Sequence, residues 1–547
     1  MDHGTRTSRL AESGSRQAAS PRAASPEAGK AGSHRRDQGE GTAWNVPAAW
    51  AGWSLCFVLA LQAVLALRLI RANTAFKDEA LYLWAGHLEW AHILHGASIP
   101  PFPAYFSGAP VIYPLFGALA DSIGGLPAAR ILSLIFMLGA TGLLWATARQ
   151  LYGPVAAFFA AALFAVLGPT LHLGSFATYD AMSVLLVALS AWLVVRAGDR
   201  RDATGWMIAA GIALALANAT SYSIAIFDPV VILLALVVAF PAPGGKRAAG
   251  RCLILLTVVV VLLGLGLLIG GSYYRAGVNI TTIQRVPGTE SALKIFGDSW
   301  SWTGVVAVIA LIGIIVGFSR RPFTARSWLP LLVGCAILLV PAEQASLHTL
   351  ASLSKHDTLG AWFAAIAAGY AVDWFVDAAG VGRARAITFG ACVVALALPA
   401  EIGVAQARTF STDWPNSSSF IAIMRPLVDH TAGRLLVEDP SVAEYYLPQG
   451  SDWQRWSGTR NIVLPSGSST GGPSKSAGVV GPGNAGVYAV FIQEGYFSLV
   501  ALNFADTTAL DLSIRADLMR NRHYHIVDVV PYGPGRGTYV IWQYGPG

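Results

Sequence analysis

The sequence predicts a polytopic α-helical membrane protein with a small α/β domain at its carboxy-terminal end, on three observations. Hydrophobic residues make up 54% of the 547 and charged residues 12%, with a mean hydropathy of +0.52, too apolar for a soluble chain of this length. Runs such as LILLTVVVVLLGLGLLIG (253–270) approach the roughly 20 residues a helix needs to cross a bilayer. They lack strand-like alternation, and a helical bundle then satisfies every backbone amide in lipid. Beyond residue 411 the pattern changes to short β-branched and aromatic runs, as strands show.

Taken in chain order, residues 1–45 are rich in Ser, Ala, Gly, Pro and Arg and too poor in large apolar groups to offset the entropy of ordering, so a disordered tail is expected. No small-residue cleavage pattern follows the first apolar run, which argues against a signal peptide. About eleven spans follow, near 49–70, 128–148, 154–172, 180–196, 204–221, 222–241, 252–271, 302–318, 327–341, 358–376 and 386–407. The connections RQLYG, RAGDRRDA, PAPGGKRAAGR, SRRPFTAR and DAAGVGRAR carry most of the loop Lys and Arg, which assigns them to the cytoplasm. The tail is then cytoplasmic, the membrane domain covers 46–410, and 411–547 form an extracytoplasmic α/β domain. The first loop (73–127) and the loops 173–179, 272–301 and 342–357 share that outer side.

The net charge is +2 over 1–45, +6 over 46–411 and −2 over 412–547, so basicity reports topology rather than a nucleic-acid partner. All four cysteines fall in apolar segments and read as small packing residues. In the outer region, 434–439, 487–493, 524–530 and 538–544 are expected strands. Segments 418–429 and 509–522 are expected helices, and 465–484, rich in Gly, Ser and Pro, an expected flexible loop.

Three outer segments can carry chemistry. In TAFKDEALYLWAGH (74–87), Asp78 and Glu79 open an amphipathic helix. Leu81, Trp84 and Leu88 share a face suited to the membrane surface, with Asp78, Tyr82 and Glu89 opposite. Acids in a first turn also simply complement the helix dipole. In GSFATYDAMS (174–183), Asp180 opens the fourth span, where Thr178 or Asp180 is equally a cap. In LHTLASLSKHDTLGAWFAAIAAG (347–369), Lys355 and His356 stand at the outer end of the tenth span, as an anion site or as snorkelling interfacial groups. Carboxylates and cations at one face suit sugar transfer from a lipid phosphate: a base activates the acceptor hydroxyl and fixed positive charge meets the departing phosphate.

NTAFKDEALYLWAGH, YPLFGALADSIGGLPAARILSL (113–134) and FATYDAMSVLL (176–186) resemble the GT-C fold glycosyltransferases, in particular the bacterial protein-mannosyltransferase and aminoarabinose-transferase-like group, over roughly 49–410. The resemblance implies an inverting enzyme using a polyprenyl-phosphate sugar, with an acceptor glycan, lipid or protein. It implies Asp78 as catalytic base beside Glu79, and Asp180 orienting the acceptor or, with Asp78, binding the divalent metal ion seen in some members. Lys355, His356 and, less directly, Arg130 would contact the donor phosphate, while Tyr82 and His87 shape the site. Aromatic clusters in DWQRW (452–456) and EYYLP (444–448) either stack on sugars or build a core. The competing class is a transporter or lipid flippase, for which Asp228, followed by Pro229, is the one pointer, since transporters place ionisable groups deep in the bilayer.

Overall fold

The computed structural model describes residues 48–547 apart from 106–110, 199, 201, 240–244, 286, 321, 448–451, 461, 463–484, 533–536 and 546–547. The tail 1–45 and the loop 465–484 lie outside the described residues.

Each expected span is helical. The chain enters with α1 (Ala48–Leu67), then α2 (Lys77–His95) and the single turn α3 (Phe102–Tyr105). The second span is the distal part of α4 (Tyr113–Tyr152), a helix interrupted at Gly124 and Gly125, where Gly125 has φ 65°. Only glycine takes that backbone without strain, and Pro127 two residues later supplies no amide to continue the ladder. The third span is two pieces, α5 (Pro154–Ala165) and α6 (Gly168–Leu173), followed by α7 (Tyr179–Ala197) and α8 (Thr204–Thr220). The join between the fifth and sixth spans is a 3-10 turn, Tyr222–Phe227, leading into α9 (Asp228–Ala239). Next come α10 (Gly245–Ile269), the shorter helix α11 (Gly271–Thr282) and α12 (Ala292–Arg320). The ninth span is α13 (Ala325–Cys335) and α14 (Leu339–Ser346), the tenth α15 (Leu353–Ala378), the last α16 (Arg383–Ala395) and α17 (Ala397–Thr412). Eight helical stretches among the described residues are long and apolar enough to cross a membrane, with three shorter apolar helices beside them.

The interior of the bundle is Ala-rich. All of Val155–Ala165 in α5 and Asp357–Gly369 in α15 are buried, and α15 packs on both α5 and α12. Small side chains let helix backbones approach closely where lipid provides no hydrophobic drive. By contrast, α10 and α16 expose most of their apolar surface, as lipid-facing helices do.

The carboxy-terminal region begins with α18 (Ser418–Asp429), β1 (Arg434–Val437), the short helix α19 (Ser441–Tyr446) and β2 (Trp456–Ser457). It closes with α20 (Ala485–Gln493), β3 (Phe497–Leu502), α21 (Thr508–Arg520), β4 (Tyr524–Pro531) and β5 (Thr538–Tyr544). The five strands run in the order β2-β1-β3-β5-β4. β1 is parallel to β2 and to β3, while β5 is antiparallel to β3 and β4, with Val500 opposite Trp542.

Two local expectations fail here. VYAVFIQ (487–493), expected as a strand, lies in α20. Its run is apolar throughout, so neither period stands out, and the parallel β1–β3 pair needs a crossover that a helix supplies. The central strand β3 (FSLVAL) was not expected; its last four residues are all buried, so it shows no alternation to read.

Candidate active site

The site is built on the start of α2. Glu79, three residues into the helix, accepts the Phe76 N–H at 3.0 Å. Arg130, one turn beyond the α4 kink, grips the same carboxylate from two sides, through Nε at 2.8 Å and Nη2 at 2.6 Å. The Ala177 N–H, just before α7, donates to it at 2.8 Å. Arg130 spends its remaining donors on the carbonyls of Ile70 (2.7 Å), Asn73 (3.0 Å) and Thr74 (3.2 Å). All five guanidinium N–H groups are thus engaged. Glu79 is 0% and Arg130 2% exposed.

Arg130, expected at the donor phosphate, here turns every donor to protein acceptors, and Glu79, expected beside the base, accepts hydrogen bonds on both oxygens. Together they tie the segment after α1, the start of α2, the kinked α4 and the turn before α7 into one rigid knot.

Asp78, next to Glu79, points elsewhere because successive helix residues are turned by roughly 100°. Its carboxylate accepts from Lys355 Nζ at 3.2 Å. The same ammonium lies 3.5 Å from Asp180, and His356 Nε2 lies 3.6 Å from the other Asp180 oxygen. Thr178 donates its hydroxyl to Asp180 at 2.8 Å. Lys355 also sits 5.7 Å from the centre of the Phe176 ring. Residues from α2, α7 and α15, separated by up to 277 positions, therefore meet at one point. Its side chains are mostly enclosed, Lys355 at 9% and Asp180 at 5%, while Asp78 keeps 30% exposure.

Tyr82 belongs to this cluster. It is buried against Tyr179 with ring centroids 5.2 Å apart. Burial, then the neighbouring Tyr179, Asp78 and Asp180, raise its pKa well above the usual tyrosine value, so it stays a neutral phenol. His87 does not join: its Nε2 lies 2.7 Å from Asp121, which also accepts the Tyr445 hydroxyl at 2.6 Å. The face expected along the membrane is covered too, since Trp84 and Leu88 are buried; α2 is packed between α4 and α19.

A divalent metal bridging Asp78 and Asp180 does not fit these side chains, because the Lys355 ammonium lies between the two carboxylates. Among the described residues no group of three or more His, Cys, Asp or Glu converges to hold one. Asp228, the pointer to transport, is held by the Asn218 amide at 2.9 Å.

Asp78 and Tyr82 open onto a cavity of about 330 Å³ between α2 and the carboxy-terminal region, walled by Trp84, Phe102, Glu444 and Trp453 among others. Lys77 was overlooked in the sequence. It pairs with Asp506 at 3.3 Å; burial disfavours its ammonium, but Asp439, Asp506 and Asp78 outweigh that and raise its pKa. A partner 429 positions away leaves no local signal.

With this geometry in view, the comparisons are specific. Residues 107–269 match the family described as dolichyl-phosphate-mannose-protein mannosyltransferase. No curated protein matches the chain. The crystal structure of ArnT from Cupriavidus metallidurans bound to undecaprenyl phosphate superimposes with a TM-score of 0.58 at 14% identity, over 91% of this chain and 100% of that one. The Archaeoglobus fulgidus oligosaccharyltransferase in its apo form gives 0.52 at 11% identity, over 90% of this chain and 74% of that one. The same archaeal enzyme, AglB, in complex with an inhibitory peptide and a dolichol-phosphate gives 0.52 at 13%, over 89% and 74%. The expected resemblance therefore holds for the architecture: this chain is a multi-span membrane protein with the GT-C fold of these structures, and its 107–269 segment is similar to the mannosyltransferase family.

Proposed function

We propose that the protein is a lipid-phosphate-dependent glycosyltransferase. It moves a hexose or pentose, with inversion, from a polyprenyl-phosphate donor to an acceptor hydroxyl at the outer face of the cytoplasmic membrane. The observation that carries this reading is the convergence of Asp78, Asp180, Lys355 and His356 beside a cavity. The ArnT structure holds undecaprenyl phosphate and the AglB structure a dolichol-phosphate, which supports a donor of that class here.

In the proposed reaction Asp78 accepts the proton of the acceptor hydroxyl while that oxygen bonds to the anomeric carbon. The carbon–oxygen bond to phosphate breaks, and its electron pair leaves on the phosphate. One displacement inverts the centre, and phosphate needs no separate acid, unlike the alcohol of a glycoside hydrolase. Lys355 has three N–H donors; as negative charge gathers on the leaving group, its ammonium and His356 supply the stabilisation. Asp180 holds the Lys355 ammonium and the His356 ring in place. The Glu79–Arg130 knot acts as a positioning element for Asp78.

The test uses membranes given labelled polyprenyl-phosphate sugars, with wild type and Asp78→Asn side by side. Donor turnover that depends on Asp78 supports the reading, and turnover untouched by the change removes Asp78 as base. No donor consumption by the wild type would favour transport.

A further inference from the structure

The cavity at Asp78 carries more information than the base requires. Counted over the described residues that line it, it holds five acidic side chains and two cations. Both cations, Lys77 and Arg460, already lie near Asp506, at 3.3 and 3.7 Å. With Asp78 paired to Lys355 and Glu444 set aside, the acids Glu438, Asp439 and Asp506 still outnumber these two cations, so the lining does not favour an anionic ligand. Glu438 is occupied by the fold, accepting the backbone amides of Asn503 and Ala505 at 2.8 and 2.9 Å.

Glu444 is different. It stands on α19, lines the cavity and is 8% exposed, yet its carboxyl makes no hydrogen bond or ion pair with the described residues. Burial, then the neighbouring Asp439, push its pKa well above the usual carboxylate range. Its surroundings thus favour the protonated form, which can both donate and accept. Its carboxyl opens to the cavity, where a ligand hydroxyl can hydrogen-bond to it. Two indoles line the same cavity: Trp84, edge-on to Phe102 at 5.5 Å, and Trp453, fixed by its N–H to the Ser98 carbonyl at 3.0 Å. Paired hydrogen-bonding groups and flat apolar faces match the two surfaces of a sugar ring. The volume of about 330 Å³ is at the small end for ligand pockets.

We infer that this cavity receives the acceptor, and that the acceptor is an uncharged saccharide, hydrogen-bonded at the Glu444 carboxyl and packed against Trp84 and Trp453. The inference rests on the glycosyl-transfer reading and specifies its second substrate.

The experiment takes the purified full-length protein with a labelled polyprenyl-phosphate sugar and three probes: neutral octyl hexosides, the same hexosides 6-phosphorylated, and a pool of Ser/Thr peptides. The expected result is label on the neutral hexosides, at least about tenfold above either alternative. Glu444→Ala and Trp453→Ala should each raise the acceptor KM about tenfold, the size of one lost hydrogen-bonding or stacking contact, with a smaller change in kcat. Glu444→Gln, which keeps the shape and both hydrogen-bonding roles, should stay within about threefold; it and Trp453→Ala carry the test if Glu444→Ala does not fold. Preferred labelling of phosphorylated hexosides or peptides, or a KM moved by neither Glu444→Ala nor Trp453→Ala, would overturn the inference. Donor consumption with no labelled hexoside overturns the inference alone; no donor consumption overturns the transfer reading as well.

Discussion

Asp78 and Glu79 are adjacent in the chain and do opposite work. Glu79 accepts four hydrogen bonds at 0% exposure, while Asp78 touches one ammonium and remains partly open. Asp78→Asn should therefore lower kcat by about 10²–10⁴-fold, the usual contribution of a general base, with the folded protein recovered in normal yield. Glu79→Gln should act on the fold. It leaves the Arg130 guanidinium buried and unpaired, a loss of about 3–5 kcal/mol for a broken buried pair, visible as a drop in thermal unfolding temperature in detergent. If Glu79→Gln unfolds like wild type and Asp78→Asn loses nothing in rate, both assignments fall.

At the scale of elements, α2 is the part on which the site depends, and its seat on α4 is tight. A Cβ added at Gly86 would lie 2.0 Å from the Pro114 carbonyl oxygen and 2.8 Å from the Ala118 side chain. Gly86→Ala should push the two helices apart, costing about 1–3 kcal/mol as overpacking does, and it should lower activity because Asp78 moves with α2. Activity and unfolding temperature measured together check this. A second property of α2 is pH sensitivity. Burial raises the Glu89 carboxyl from its ordinary 4.5 to about 8. With the folded pKa above the unfolded one, the folded state retains the proton longer, so stability falls as pH rises from 4.5 to about 8. Glu89→Gln, which mimics the protonated acid, should match wild type near pH 4 and unfold at a higher temperature above pH 8. Equal unfolding temperatures at both ends would exclude this role.

At the scale of the whole molecule, the carboxy-terminal region is fastened to the site. The Tyr446 hydroxyl oxygen accepts the Ala75 N–H at 2.8 Å, the Trp414 indole donates to the Thr74 carbonyl at 2.9 Å, and the Tyr445 hydroxyl donates to Asp121. The proposed topology puts this region outside, following the basic loops. In a cysteine-free background, a membrane-impermeant thiol reagent should label Asp429→Cys from the outer side and Lys246→Cys only after permeabilisation. The reverse pattern would move the site to the cytoplasmic face.

Much of this architecture is legible in the sequence. The eleven apolar runs each became helical because in lipid a continuous apolar segment has few other ways to satisfy its amides. Strands Arg434–Val437, Tyr524–Pro531 and Thr538–Tyr544 fall where the short β-branched and aromatic runs 434–439, 524–530 and 538–544 predict them. Asp78, Asp180, Lys355 and His356 could be picked out because charge at the ends of apolar helices is costly enough to be conspicuous. The sequence by itself thus determined the class of fold and the candidate charged groups, since both follow from local solvation. Only the tertiary structure decided which charges pair with one another and which face the cavity. That Arg130 belongs to Glu79, that Lys355 lies between two aspartates, and that Glu444 faces the cavity alone are relations across 51 to several hundred positions. No local period encodes them, because they depend on where the packed helices bring distant side chains to rest.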